Sequence, residues 1–194
     1  MTRHPVALRR LILALAVMVL SNFGRSAARD TSEIPEYELK AAFIYNFAKF
    51  ITWPAGSFTD SASPIILAVL GDDPFGPRLP ETLASKSVNG HPIHIVYVSS
   101  GTVVPMCHIL FIANSENDRL VPALERVAGR PVLTVGDSPR FADQGGMINL
   151  FLDGKAVRFE INANATESGG FKVSSKLGGL GVIIRGNVVK QASP

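Results

Sequence analysis

Short buried β-strands place the strongest constraint on what this chain can fold into. Residues Ile65 to Leu70 form an unbroken apolar run that ends in Gly71. A strand that is covered on both faces has this pattern, without the alternation of a half-exposed strand. Similar short apolar segments begin at His108 and Val132. Segments with helical periodicity separate them, and this alternation predicts a layered α/β fold with a mainly parallel sheet.

We predict a single-domain layered fold, over residues 37–190, in which helices pack on a five- to six-stranded sheet. The dipeptide Asp153-Gly154 is a turn signal between the last two strands, and it predicts a C-terminal β-hairpin at one edge of the sheet. The predicted strands are Ile65–Leu70, Pro92–Val98, His108–Ile112, Val132–Val135, Met147–Phe151 and Val157–Ile161.

The segment from Glu36 to Trp53 predicts an amphipathic helix that is rich in aromatic residues. Its large apolar residues recur every three or four positions, at Leu39, Phe43, Phe47 and Phe50. We interpret this face as one that packs on the core, and a helix that binds a partner in a groove is the alternative. Further helices are predicted at Phe75–Ala84, Ser115–Val127 and Ser174–Leu180.

The first 28 residues have the pattern of a secretory signal peptide. Basic residues precede an apolar run from Leu11 to Leu20, and small residues ending at Ala28 supply a cleavage site. The run is shorter than the roughly 20 apolar residues of a membrane-spanning helix. We expect cleavage after Ala28, export, and no membrane span in the mature chain, with an uncleaved anchor as the alternative. Residues 29–36 are expected to form a flexible tether.

Composition and charge exclude several other classes of protein. Apolar residues make up 46% of the chain and charged residues 18%, which suits a packed core and excludes a disordered chain. The formal net charge of +3 depends on the predicted signal peptide, because the rest of the chain has 15 Lys and Arg against 16 Asp and Glu. The mature protein therefore has no excess of positive charge with which to bind nucleic acid.

The sequence offers no recognisable catalytic or cofactor motif. It lacks the nucleophile elbow G-x-S-x-G, the phosphate loop G-x-x-x-x-G-K-[ST] and the zinc motif H-E-x-x-H. We therefore predict no enzyme activity, no catalytic residue, no cofactor and no metal site. Cys107 is the single cysteine. We predict a buried free thiol there, with a reactive thiol or an intermolecular disulfide as the alternatives.

Three aspartates at the ends of predicted strands form a candidate ligand site. Asp72 and Asp73 follow the strand Ile65–Leu70, and Asp137 follows the strand at Val132. Open α/β sheets bind ligands at the carboxyl ends of their strands. For the first two residues the alternative is a turn that leads into a helix, in which aspartate caps exposed amides.

A candidate partner-binding surface lies on the predicted hairpin. Apolar residues alternate in Val157–Ile161, so Arg158 and Glu160 share the face that is expected to be exposed. An ion pair between these two neighbours is the ordinary explanation, and it contributes only about 0.2–1 kcal/mol. The alternative is a docking surface, which would also include Asn162, Ser174, Ser175 and Lys176.

Eight segments occur in a characteristic order, although no single one is diagnostic. They are Leu39–Pro54, Val69–Gly76, Cys107–Ile112, Ser115-Glu116, Val132–Asp137, Phe141–Ile148, Phe159–Asn162 and Val173–Leu177. As an ordered set they resemble the YfiR family of bacterial periplasmic proteins.

This resemblance implies a small periplasmic α/β regulator that is often dimeric. The best-known member represses a membrane-bound diguanylate cyclase by binding its periplasmic sensory domain, and release of the repressor raises cyclic-di-GMP and favours biofilm. The partner implied here is an inner-membrane signalling protein, either a cyclase or a sensor kinase. A small-ligand-binding accessory protein of another signalling system is the alternative.

The resemblance also bears on individual residues. It implies that Glu160 contacts the partner, because the Phe159–Asn162 segment matches a region that contacts the cyclase in that family. Cys107 matches a family cysteine whose usual disulfide partner falls near Ala68 in this chain. An intramolecular disulfide is therefore not expected.

Overall fold

A computed structural model describes residues 35–190. The predicted signal peptide lies outside these residues, as does most of the predicted tether. In chain order the elements are α1 (Glu36–Phe50), β1 (Ile51–Thr52), β2 (Ile65–Leu70), α2 (Arg78–Leu83), β3 (Ser87–Val88), β4 (His91–Val98), β5 (Ile109–Ile112), a 3-10 helix (Asn114–Arg119), α3 (Leu120–Glu125), β6 (Leu133–Gly136), β7 (Ile148–Asp153), β8 (Ala156–Asn162), α4 (Ala163–Ser168), β9 (Lys172–Val173), α5 (Ser175–Gly178) and β10 (Val182–Ile184).

An eight-stranded sheet with the order β10-β8-β7-β6-β5-β2-β4-β3 organises the domain. Its pairs are parallel except for β7 with β8 and β3 with β4. The predicted α/β class and mainly parallel sheet are therefore confirmed. The sheet is wider than predicted, because the short strands β3 and β10 extend its two ends. The hairpin of β7 and β8 consequently lies one strand inside the edge. Separately, β1 pairs with β9.

Alternating side chains of the sheet contribute to two separate hydrophobic cores. The first core lies against α1 and α2 and includes Phe159 and Ile161 of β8. The second core lies on the other face, under α3, and includes Phe141. The second core contains no residue of β7, β8 or β10. Arg158 and Glu160 alternate with the first-core residues of β8, so their side chains point to the opposite face of the sheet. They lie on a part of that face that the second core does not cover.

Helix α1 begins as predicted and ends three residues before the predicted end at Trp53. Acidic side chains in its first turn and Lys49 in its last turn complement the helix dipole. Ile51 already belongs to strand β1, which explains the early end. Phe47 is fully buried, as the core-packing interpretation requires, whereas Phe43 and Phe50 remain partly exposed.

The other predicted helices are present but shorter than expected. In place of a helix from Ser115 to Val127, a 3-10 helix runs into the six-residue α3. Helix α2 starts at Arg78, because Gly76 has a positive φ of 55° and holds the preceding turn out of the helical conformation. Helix α5 ends at Gly178, and Ser174 is its N-cap.

His108, the residue before β5, connects this strand to β2 and to the loop that follows β1. Its Nδ1 atom accepts a hydrogen bond from the Ile66 amide at 2.9 Å, and its Nε2 atom donates to the Ser57 carbonyl at 2.9 Å. These partners require the neutral tautomer with its proton on Nε2. The ring also stacks on Phe58, with 4.8 Å between centroids. Burial lowers the pKa of His108, because the charged ring would lose solvation.

We expect the free energy of unfolding to decrease as the pH falls below the ordinary imidazole pKa of 6.5. The folded state resists a proton that the unfolded state accepts, so stability rises with pH between the two pKa values. His108→Gln keeps an acceptor and a donor but cannot titrate, and its stability should depend less on pH. Urea denaturation between about pH 5 and 8 tests this, with exposed His94→Gln as the control. Equal pH slopes for wild type and His108→Gln would contradict the prediction.

Candidate functional site

The first pair of candidate ligand residues, Asp72 and Asp73, lies in the turn after β2. Asp73 Oδ1 accepts a hydrogen bond from the Phe75 amide at 2.9 Å, and the Asp72 amide donates to Ser115 Oγ at 2.9 Å. Both carboxylates are exposed. This geometry favours the interpretation of the two residues as a turn that leads into a helix.

The third candidate, Asp137, is buried against α1. Its side chain is 2% exposed, and Oδ2 accepts from Lys40 Nζ at 2.8 Å and from the Tyr37 hydroxyl at 2.9 Å. The Lys40 side chain is 4% exposed and also contacts Glu36 at 2.5 Å. Burial alone would lower the pKa of Lys40, but the hydrogen bonds with Asp137 and Glu36 outweigh it, and the pKa of Lys40 is raised. Asp137 is therefore engaged by Lys40 and Tyr37 and is not an open ligand-binding group.

The three aspartates consequently do not form one open site. Asp137 turns towards α1 and is buried, whereas Asp72 and Asp73 are exposed to solvent. Strand β5 separates the strand that precedes the first pair from the strand that precedes Asp137. Within residues 35–190, no group of three or more His, Cys, Asp or Glu side chains could hold a metal ion.

Arg158 and Glu160 both bind residues of the neighbouring strand rather than each other. Arg158 Nε lies 2.7 Å from Asp153 Oδ2, and both side chains are exposed. Glu160 is half-buried, and its Oε1 atom accepts from Asn149 Nδ2 at 2.9 Å. In place of the expected ion pair between Arg158 and Glu160, Glu160 contacts Asn149, its directly opposed neighbour on β7, and Arg158 contacts Asp153, which lies diagonally across the hairpin. Glu160 keeps a partly accessible carboxylate.

Asn162 belongs to the interior and cannot line a partner-binding surface. Its side chain is fully buried. Its Nδ2 atom donates to the carbonyls of Ala142 and Asn187 at 2.9 and 2.8 Å, and its Oδ1 atom accepts from the amides of Ala165 and Gly186. The sequence prediction placed Asn162 on the docking surface. That placement is corrected here, because Asn162 caps α4 and anchors the C-terminal segment.

The remaining residues of the predicted surface lie on the other side of the sheet. Ser174 Oγ accepts from the Leu177 amide at 3.3 Å, as the N-cap of α5. Ser175 and Lys176 are exposed on this helix. Leu177 packs in the first core, whereas Arg158 and Glu160 lie on the opposite face. The predicted surface is therefore divided between two faces that meet at the edge strand β10.

An exposed apolar segment at this edge was not identified from the sequence. Leu180, Val182 and Ile183 are 76%, 52% and 51% exposed. Among residues 35–190, strand β10 pairs with β8 alone and its other edge is uncovered, and Val182 is in register with Glu160. Apolar side chains on an open sheet edge are typical of protein interaction sites. We call Leu180, Val182 and Ile183, together with Arg158 and Glu160, the C-terminal edge.

Cys107 lies in the second core, to which Ala68 also contributes, away from the C-terminal edge. The thiol is free and buried. Burial raises the pKa of the Cys107 thiol to about 11, so the side chain is protonated at neutral pH. It has neither the charge nor the access that reactive thiols require.

Comparison with known sequences identifies the family of this chain. The model of the YfiR/HmsC-like family matches residues 37–181, which extend from the first turn of α1 to the residue before β10. No match was found among curated proteins. Among the described residues, no helix has both the length and the apolar character that crossing a membrane requires. Because the family match covers most of the chain, this protein belongs to the YfiR/HmsC-like family.

Proposed function

We propose that this protein is a periplasmic, non-enzymatic regulator that represses a membrane-bound diguanylate cyclase by binding the periplasmic sensory domain of that enzyme. Membership of the YfiR/HmsC-like family supports the proposal. The observation that carries it is the exposed, apolar C-terminal edge around Val182 and Glu160. The predicted signal peptide supplies the export that the proposal requires, and a homodimer is compatible with it.

The C-terminal edge has the composition of a protein interface. Leu180, Val182 and Ile183 provide apolar area that a partner can bury, and Arg158 and Glu160 provide a charged border. A repressor acts only if it binds the inactive state of its target more tightly than the active state. Occupation of this edge by the inactive sensory domain would keep cyclic-di-GMP low, and release would favour biofilm.

Substitution of Glu160 tests the proposal. We expect Glu160→Arg to weaken binding to the partner's periplasmic domain by about ten-fold, because it reverses a charge at the contact. Glu160→Gln keeps an oxygen that accepts from Asn149, so it separates the effect of charge from that of the fold. The partner is first captured by crosslinking the exported protein in its own host, and the affinity of the purified pair is then measured by calorimetry.

Glu81→Arg on α2 is the matched control, because Glu81 is exposed and lies outside the C-terminal edge. The control should bind like wild type. If Glu160→Arg also binds like wild type while remaining folded, the contact lies elsewhere and the assignment of this surface is wrong.

A further inference from the structure

A pocket of about 350 Å³ lies between α1, β8 and α5, on the opposite face of the sheet from Arg158 and Glu160. Its walls are apolar and consist of Phe43, Phe50, Phe159, Leu177 and Leu180. Pockets that bind small molecules typically have volumes of about 300–1,000 Å³ and walls of aromatic and aliphatic side chains with a few polar groups. This pocket lies at the small end of that range.

The aromatic wall of the pocket is held in place by close packing. The Phe159 ring lies 5.5 Å from the Phe43 ring and 5.1 Å from the Phe47 ring, measured between centroids. On another side the ring meets the backbone of Gly181, where an added Cβ would lie 2.3 Å from Phe159 Cε2. The cavity is therefore formed before any ligand arrives, and binding would require little reorganisation of this ring.

Two polar side chains, Lys176 and Asn46, complete the lining. In the part of the chain that the structure describes, neither side chain takes part in an internal hydrogen bond or ion pair. The lining contains no Asp or Glu. The pocket thus combines an apolar interior with a single ammonium group, which complements an anionic head group.

We propose that this pocket binds a small monocarboxylic acid with an apolar tail. The tail lies against Phe43, Phe50 and Phe159, and the carboxylate accepts hydrogen bonds from Lys176 Nζ and the Asn46 amide. The volume lies at the small end of the range for ligand pockets, which favours a ligand with a short tail. An amine or a zwitterionic amino acid fits poorly, because no carboxylate lines the pocket to pair with its ammonium group.

Calorimetric titration of the mature protein with octanoate tests this site. We expect octanoate to bind, and octylammonium and 2-aminooctanoate to bind at least about ten-fold more weakly. Lys176→Met keeps the length of the side chain and removes its charge, and it should weaken octanoate binding by about ten-fold. Lys172→Met is the matched control, because Lys172 is an exposed lysine outside the pocket, and it should leave octanoate binding unchanged.

Methyl NMR spectra locate the bound ligand. We expect octanoate to shift the methyl signals of Leu177 and Leu180 and to leave those of Leu152, on the β7–β8 hairpin, unchanged. The proposal is overturned if octanoate fails to bind, if octylammonium binds equally well, or if folded Lys176→Met retains wild-type affinity. Binding to the cyclase is not part of this test, so its outcome is independent of the proposed function.

Discussion

Replacement of Gly146 by alanine is expected to lower the free energy of unfolding by about 3 kcal/mol. A Cβ atom at this position would lie 2.0 Å from Cε1 and 2.2 Å from Cδ1 of Phe141. The other edge of the same ring faces Gly136, where a Cβ would lie 2.3 Å from Cε2. Phe141 is fully buried in the second core, so its ring has no free space into which to move. Small domains are stable by only about 5–15 kcal/mol, which makes this a large loss.

Urea denaturation of Gly146→Ala measures this effect, and Gly178→Ala is its control. The nearest atom to an added Cβ at Gly178 is 4.0 Å away, and alanine is the better helix former, so the control should be neutral or slightly more stable. In a Phe141→Leu background, Gly146→Ala should lower the free energy of unfolding by less, because the smaller leucine side chain leaves room for the added methyl group. Equal stability of Gly146→Ala and wild type would show that the ring is not confined.

Replacement of Asp137 by alanine is expected to cost about 3 kcal/mol of stability. Asp137 Oδ2 lies 2.8 Å from Lys40 Nζ, and both side chains are almost completely buried. Removal of the carboxylate leaves a buried ammonium group whose remaining ion-pair partner is Glu36. Because Glu36 still compensates part of the charge, we expect a loss at the low end of the range for a broken buried ion pair.

The double variant Asp137→Ala with Lys40→Met distinguishes a buried charge from lost packing. Removing both charged groups together avoids an uncompensated buried charge, so the double variant should be more stable than Asp137→Ala alone. Denaturation by urea, with the midpoint and slope fitted separately, gives the free energy of unfolding of each variant. Lys40→Met alone completes the comparison. If the losses of unfolding free energy in Asp137→Ala and Lys40→Met simply add in the double variant, the Lys40–Asp137 ion pair is not the source of the lost stability.

The fold was largely predictable because the central strands β2 and β5 are apolar over their full length. Ile65–Leu70 keeps its predicted limits as β2, since a strand buried on both faces has the same pattern whatever surrounds it. The antiparallel β7–β8 hairpin also follows from local signals, namely alternation and the turn at Asp153-Gly154. In contrast, β1 and β9 could not be predicted, because Ile51 pairs with Val173 from a distant part of the chain.

The candidate surface was only partly predictable. Alternation in β8 placed Arg158 and Glu160 on the correct face, because side-chain direction in a strand depends on local geometry. The same reasoning failed for Asn162, which the C-terminal segment covers through Asn187 and Gly186. Periodicity also could not show that Val182 is exposed. A short apolar strand such as Val182–Ile184 has the same pattern whether it lies in a core or at the edge of a sheet.

The sequence by itself determined the fold class, the position of α1 and the face of β8 that carries Glu160. These features follow from the periods of helix and strand, which depend on residues close together in the chain. Only the tertiary structure decided that Asp137 forms a buried ion pair with Lys40 and that Phe43 and Phe50 line a pocket. The exposure of each of these side chains depends on which distant elements pack against it, and local periodicity contains no information about that packing.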